Sequence, residues 1–207
     1  MKKLIVALVT LVFVALTPTQ AQEFQEGVHY RVIGDTPSRA PEIIDFFSFY
    51  CGGCYQYAPF SDMLAEEFGS SFNKYHVNIV VPNAAIRDNI QSVWATAIVL
   101  GIDKQFKERV FQNHFVRNRM SNSVTELKQI MLDLGVEEEM YNRATNSMQA
   151  RSLANRMSSL QRQFSVSRTP TYIVNRKYEM LPGGFNNSSN FFEDYLRLAR
   201  YLVAKDF

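Results

Sequence analysis

The sequence predicts an α/β sheet protein interrupted by an all-helical insertion, and three observations carry that prediction. Residues 42–50, EIIDFFSFY, are a nearly continuous apolar and aromatic run, the pattern of a strand buried on both faces. Residues 74–81, KYHVNIVV, are rich in β-branched residues and bounded by Pro82-Asn83, which reads as a second central strand. Beyond Asn83 the apolar spacing turns helical for about eighty residues before strand character returns.

Taken in order, Val28 to Ile33 is a short strand candidate, followed by a turn-like stretch through Ser38 and by Pro41. The strand of residues 42–50 stops at Cys51-Gly52-Gly53-Cys54, after which Tyr57, Phe60, Met63, Leu64 and Phe68 recur at helical spacing. A helix therefore starts at or within the cysteine motif, and Pro59 inside it predicts a kink. Helices are expected at 89–100, 104–117, 123–134, 137–147 and 149–164, with Gly101 and Gly135 as C-terminal stops. Strands are expected at 171–174 and 177–180, then a turn at Pro182-Gly183-Gly184 and a final helix over 188–204.

The chain has 207 residues, 22 Lys plus Arg, 20 Asp plus Glu and 2 Cys. This excludes collagen-like, disordered and disulfide-dense classes. Lys2 and Lys3, an apolar run from Leu4 to Leu16 and the small residue Ala21 read as a secretory signal peptide cleaved after Ala21. That run is too short to span a bilayer, which needs about 18 apolar residues or more. Without the two signal lysines the charges balance, and the remaining basic residues alternate with acids, so no nucleic-acid-binding face is expected. The expected organisation is a signal at 1–21, a sheet domain from 22–83 plus 165–207, and a helical insertion at 84–164.

Two cysteines separated by two residues make a poor structural staple: a loop this short stabilises a fold by about 1.9 kcal/mol, against roughly 3 for fifteen residues. They make a poor zinc site as well, since His29, His76 and His114 show no paired spacing and no second Cys pair exists. A redox-active dithiol fits better. At a strand-to-helix junction the first cysteine faces unpaired backbone N–H groups and the positive end of the helix dipole, both of which favour its thiolate. Cys54, one turn further on and more enclosed, is the natural resolving thiol.

Residues 42–57, the strand KYHVN, the helical insertion, and Thr169-Pro170 followed by a strand together resemble the DsbA family of periplasmic thiol:disulfide oxidoreductases, over essentially the whole chain beyond the signal. The resemblance implies a thioredoxin fold interrupted by the helical subdomain, with no cofactor beyond the Cys51–Cys54 disulfide itself. It implies Cys51 as nucleophile, Cys54 as resolving thiol, and Pro170 as a cis-proline whose flanking backbone at Thr169 pairs with an extended substrate. Asp45 and Lys74 fall where the family places charged groups beneath the active-site helix. There they would either move the proton of Cys54 and tune its pKa or form an ordinary partly hydrated ion pair. The implied partners are reduced, unfolded exported proteins and a DsbB-type membrane quinone reductase; the implied location is the periplasm, and the implied state a monomer.

The chain departs from the family at two points. Gly52-Gly53 replaces the usual Pro-His, removing a histidine that stabilises the thiolate and loosening the helix start, so this protein is expected to be less oxidising than its relatives. Thr169 stands where many relatives carry Val and the isomerase and reductase branches often carry Thr; its hydroxyl could bond the thiolate. An isomerase or reductase is therefore the alternative function, although Cys51 would be only the thirtieth mature residue, which leaves no room for an isomerase's N-terminal dimerisation domain. From a different class, a peptide-binding chaperone module with an incidental CxxC is a further alternative. The three histidines are expected to be structural or surface groups, Trp94 core, and Met120, Met131, Met140, Met148 and Met157 mainly core, while some of the aromatic residues around the motif form an apolar docking surface.

Overall fold

The computed structural model describes residues 24–207; the signal peptide and its cleavage after Ala21 lie outside the described residues. Five strands form one mixed sheet: β1 (Tyr30–Val32), β2 (Ile43–Phe47), β3 (Phe72–His76), β4 (Thr171–Val174) and β5 (Tyr178–Met180). Their spatial order is β1-β5-β4-β2-β3, with β2 and β3 parallel and the other pairs antiparallel. Every residue of β2 is buried, as its unbroken apolar pattern requires of a strand covered on both faces. The β4–β5 connection runs over 175–177, and its turn, closed by Lys177 N donating to Val174 O at 3.0 Å, has Asn175 and Arg176 at its centre, both at positive φ, as a mirror-image turn requires.

The helix expected after the motif is two helices, α1 (Gly52–Gln56) and α2 (Ala58–Phe68), broken at Tyr57. Pro59 lies in the first turn of α2, where its missing N–H leaves no hydrogen bond unmade, so it marks a new start rather than an interior kink. The strand expected over 74–81 instead spans 72–76. Val77 N still donates to Phe47 O at 2.9 Å, but Asn78 N turns to Gln161 Oε1 at 3.1 Å and Val80 takes a left-handed φ of 52°. The β-branched residues beyond His76 therefore belong to a loop anchored by the insertion.

Between β3 and β4 run α3 (Ala84–Val99), α4 (Asp103–Phe111), α5 (Val124–Asp133), α6 (Glu138–Thr145) and α7 (Met148–Gln163). Asn83, Ser123 and Ser147 cap α3, α5 and α7 through their side-chain oxygens, each satisfying an otherwise orphaned N–H. Gly101 and Gly135 follow their helices at φ 68° and 93°, as stops of this kind require. Past Phe111, α4 continues as a π-helical turn over 112–116. The chain ends in α8 (Phe191–Ala204).

Two apolar clusters flank the sheet. One joins Phe47 and Phe49 to Trp94, Phe106 and Phe111 of the insertion; the other joins Ile43 and Tyr172 to Phe60 of α2 and to Tyr195 and Leu198 of α8. The open edge of β3 is covered by α3, whose Trp94 Nε1 donates to Lys74 O at 2.7 Å and whose Gln91 Nε2 donates to His76 O at 3.0 Å. Covering an edge in this way satisfies carbonyls that would otherwise invite another strand. Of the insertion methionines only Met131 and Met157 are buried; Met120, Met140 and Met148 are exposed, so the expectation that most are core is corrected.

Candidate active site

Cys51 lies just beyond β2, in extended conformation at the N-cap of α1, and is half-buried; Cys54 is 2% exposed. Both are free thiols. Cys51 Sγ faces Thr169 O at 3.3 Å, and the Thr169–Pro170 peptide is cis. A Cβ built on Gly53 would lie 3.4 Å from Pro170 Cδ and 3.7 Å from Cys51 Sγ. Strand end, helix start and proline loop therefore meet around one sulfur.

The two sulfurs differ sharply in acidity. The Cys51 pKa falls from the ordinary 9.0 to about 5, chiefly because the Cys54 thiol donates to it; partial burial opposes this, while the Thr169 side chain and the backbone N–H groups of Cys54 and Gly53 assist it. Thr169 Oγ1 is itself buried and makes no well-aligned hydrogen bond, so its effect is that of a nearby dipole rather than of a formed bond. Cys54 is pushed strongly upward, first by burial, then by its bond to Cys51 and by the charges of Cys51 and Asp45; Ser48 N, donating to its sulfur at 3.4 Å, offsets only part of this.

Beneath α1, Asp45 and Lys74 are direct cross-strand neighbours and form an ion pair. Asp45 is 1% exposed and the Lys74 side chain 10% exposed, so the carboxylate is enclosed and the lysine only partly so. Ser61, which the sequence reading did not single out, donates to Asp45 Oδ2 at 2.6 Å, receives from Lys74 Nζ at 3.0 Å and lies 3.3 Å from Tyr172 Oη. Asp45 Oδ1 is buried with no hydrogen-bond partner among the described residues. A hollow of about 350 Å³ lined by Ser61, Asp62, Lys74 and Lys107 reaches this cluster from the other side.

Two of the three histidines also bear on the site, which their isolated positions in sequence did not signal. His76 Nε2 accepts from Phe49 N at 2.9 Å, and His114 Nδ1 donates to Phe49 O at 2.9 Å while its Nε2 accepts from Ser121 N at 3.0 Å. These partners assign both rings as neutral. Burial is the main reason the His76 pKa falls to about 3 and that of His114 falls as well. Phe49, two residues before Cys51, is thus held from both sides. Tyr55 stacks on Phe115 of the π-helical turn, 5.3 Å between centroids, beside Gly52.

A buried strand delivering a low-pKa cysteine to a helix start, opposite a cis-proline loop, defines a thiol:disulfide oxidoreductase of thioredoxin-like fold. The chain belongs to the DSBA-like thioredoxin domain family, whose pattern it matches over residues 42–197. It is 29% identical over 212 residues to the thiol:disulfide interchange protein DsbA of Salmonella typhimurium and 27% identical to that of Escherichia coli K12, each match covering 99% of this chain and 100% of the relative. Among solved structures it resembles DsbA from Klebsiella pneumoniae, with a TM-score of 0.78 and 25% identity over 89% of this chain and 100% of that one. It shares the fold of Proteus mirabilis DsbA, with a TM-score of 0.77 and 24% identity over 87% and 97% of the two chains.

Proposed function

We propose that the chain is a disulfide donor to exported proteins, acting in the periplasm as a monomer after removal of the signal peptide, with no cofactor beyond its own Cys51–Cys54 disulfide and no nucleic-acid partner. The observation that carries this reading is the division between the two thiols: one half-exposed with a pKa of about 5, the other enclosed and held protonated. A substrate thiolate attacks Cys51 Sγ, the S–S bond breaks, and Cys54 leaves and takes a proton. A second substrate thiolate then attacks the substrate sulfur of the mixed disulfide and expels Cys51 as a thiolate. The substrate loses two electrons, the enzyme gains them, and expulsion is favoured because a low-pKa thiolate is the better leaving group.

In this reading the substrate backbone lies along Thr169 and Pro170, and Asp45, aided by Lys74, delivers the proton to Cys54 and withdraws it on reoxidation by a DsbB-type quinone reductase. Thr169 and the missing histidine at position 53 favour a second reading as a reductase or isomerase. Equilibration against a glutathione buffer separates the two. A reduction potential above roughly −180 mV supports the donor; one near about −250 mV overturns it in favour of the second reading. Cys54→Ser should accumulate a mixed disulfide with substrate and Cys51→Ser should not; retention of full activity by Cys51→Ser would leave only a binding module.

A further inference from the structure

Arg168 directly precedes the Thr169–Pro170 pair. Its Nη2 donates to Glu179 Oε1 at 2.7 Å, and Arg31 of β1 approaches the same carboxylate from the other side, with Nε at 2.7 Å and Nη2 at 2.5 Å from Oε2. Glu179 is only 5% exposed. The two arginine side chains are 63% and 56% exposed. One buried negative charge is therefore shared by two outward-facing positive ones, leaving a net single positive charge beside the proline loop.

The arrangement exceeds what bracing the loop requires. One guanidinium would neutralise Glu179 and satisfy its oxygens bidentately; the second adds charge without a counter-ion and leaves Arg168 Nε and Nη1 and Arg31 Nη1 free of partners among the described residues. Between the arginines lies a hollow of about 230 Å³, lined also by Ser165, Ser167 and Thr171. It shares Arg168, Thr171 and Glu179 with a groove of about 700 Å³ running past Tyr57, Thr169, Pro170 and Leu181. Among the described residues no other charged side chain lines either one.

We infer that Arg168 and Arg31 form a carboxylate-recognising subsite, so that the preferred substrates are protein segments with an acidic residue close to the reacting cysteine. This rests on the reading that extended substrate lies along Thr169 and Pro170. Arg168 directly precedes Thr169, whose carbonyl faces Cys51 Sγ at 3.3 Å, and a strand advances about 3.3 Å per residue, so in this proposal the substrate side chain that meets the subsite is one within about two residues of the cysteine. A pair at an exposed site of this kind is worth a modest, salt-sensitive preference.

The test uses dithiol peptides that differ only two residues from the first cysteine, carrying Asp, Ser or Lys there, together with the same peptides with both cysteines replaced by serine. The oxidised protein should turn over the Asp peptide with kcat/KM about fivefold above the Lys peptide, about 1 kcal/mol, and the serine versions should bind in the same order. Arg168→Gln, which keeps donors for Glu179 without the charge, and Arg31→Gln should each shrink that ratio, as should high salt. Equal turnover and equal binding of all three peptides would overturn the subsite while leaving the disulfide-donor reading intact. Failure to oxidise any peptide, with the order of binding preserved, would overturn that reading and leave the subsite standing.

Discussion

Gly52 and Gly53 are the residues at which the sequence resemblance implies a departure from the family, yet neither is demanded by the backbone. Neither has a positive φ, and a Cβ would meet Phe115 Cε1 at 3.8 Å from Gly52 and nothing closer than 3.4 Å from Gly53, ordinary contact distances. Gly53 therefore accepts a Cβ beside Cys51 Sγ, the starting point for a side chain that donates to the thiolate. Replacing Gly53 by His should lower the Cys51 pKa by about one unit; this stabilises the reduced state and raises the reduction potential by about 30 mV, since each pKa unit is 1.36 kcal/mol and a two-electron couple converts 1.4 kcal/mol to 30 mV. Titration of the thiolate absorbance, paired with glutathione equilibration, reads both quantities. An unchanged titration would mean that the Cys54 thiol and the helix-start amides already satisfy the sulfur. The present pKa of about 5 without a histidine is set by the Cys54 thiol, the Thr169 side chain and the backbone N–H groups of Cys54 and Gly53, against partial burial; the helix-start amides were legible from a CxxC motif at a strand-to-helix junction. Ser61 and Tyr172 were not legible, because they join Asp45 from 16 and 127 positions away and no local period records such a meeting.

At the scale of elements, the turn between β2 and α1 is fixed by its neighbours as much as by its own residues. His76 sits at the end of β3, and the π-helical turn over 112–116 brings His114 round to face Phe49; an extra residue in a helical turn re-aims the side chains that follow. Both rings serve only while neutral, because protonation would convert the accepting Nε2 of each into a donor facing another N–H. The pH dependence follows from this. Folding holds the His76 pKa at about 3, against an ordinary value of about 6.5. Below pH 6.5 the unfolded chain therefore binds a proton that the folded chain refuses, and stability falls as pH falls. Between pH 7 and 5 this amounts to about 2 kcal/mol for His76, with His114 adding in the same direction. His76→Gln, whose amide oxygen can still accept from Phe49, should show a shallower loss in denaturant unfolding between pH 7 and 5 than the unaltered protein. Parallel profiles for the two proteins would show that other groups govern the acid limb. Strands and helices were readable from their periods, and two helix ends from Gly101 and Gly135, whereas the caps Ser123 and Ser147 appear only in the structure, which starts one helix at Val124 and another at Met148. The end of β3 was not, because the turn at Val80 depends on Gln161 of α7, a partner 83 residues from Asn78.

Across the whole molecule, the helical insertion completes the sheet rather than standing beside it. Trp94 of α3 bonds Lys74 O on β3, packs on Phe47 and Phe49 with ring centroids 5.2 and 5.5 Å apart, and belongs to the cluster that also encloses Cys54. Lys107 of α4 reaches Asp62 of α2 at 2.5 Å, and Arg156 of α7 reaches Glu42 at the start of β2 at 2.8 Å. An insertion that supplies one wall of the core, covers a sheet edge and contacts both ends of the central strand has no separate core to retain when the sheet opens. Trp94 is the chain's one tryptophan, so its fluorescence reports the seam between insertion and sheet, whereas far-ultraviolet dichroism reports mainly the helices. The two probes should give coincident denaturant transitions with a single midpoint, the mark of one cooperative unit. Trp94→Ala should lower that midpoint by the equivalent of about 3–5 kcal/mol, as removal of a buried aromatic does, in the dichroism signal of the whole protein rather than of one part. A dichroism transition that splits in two, one of them insensitive to this substitution, would show that the insertion folds by itself and that the seam is a docking contact between two units.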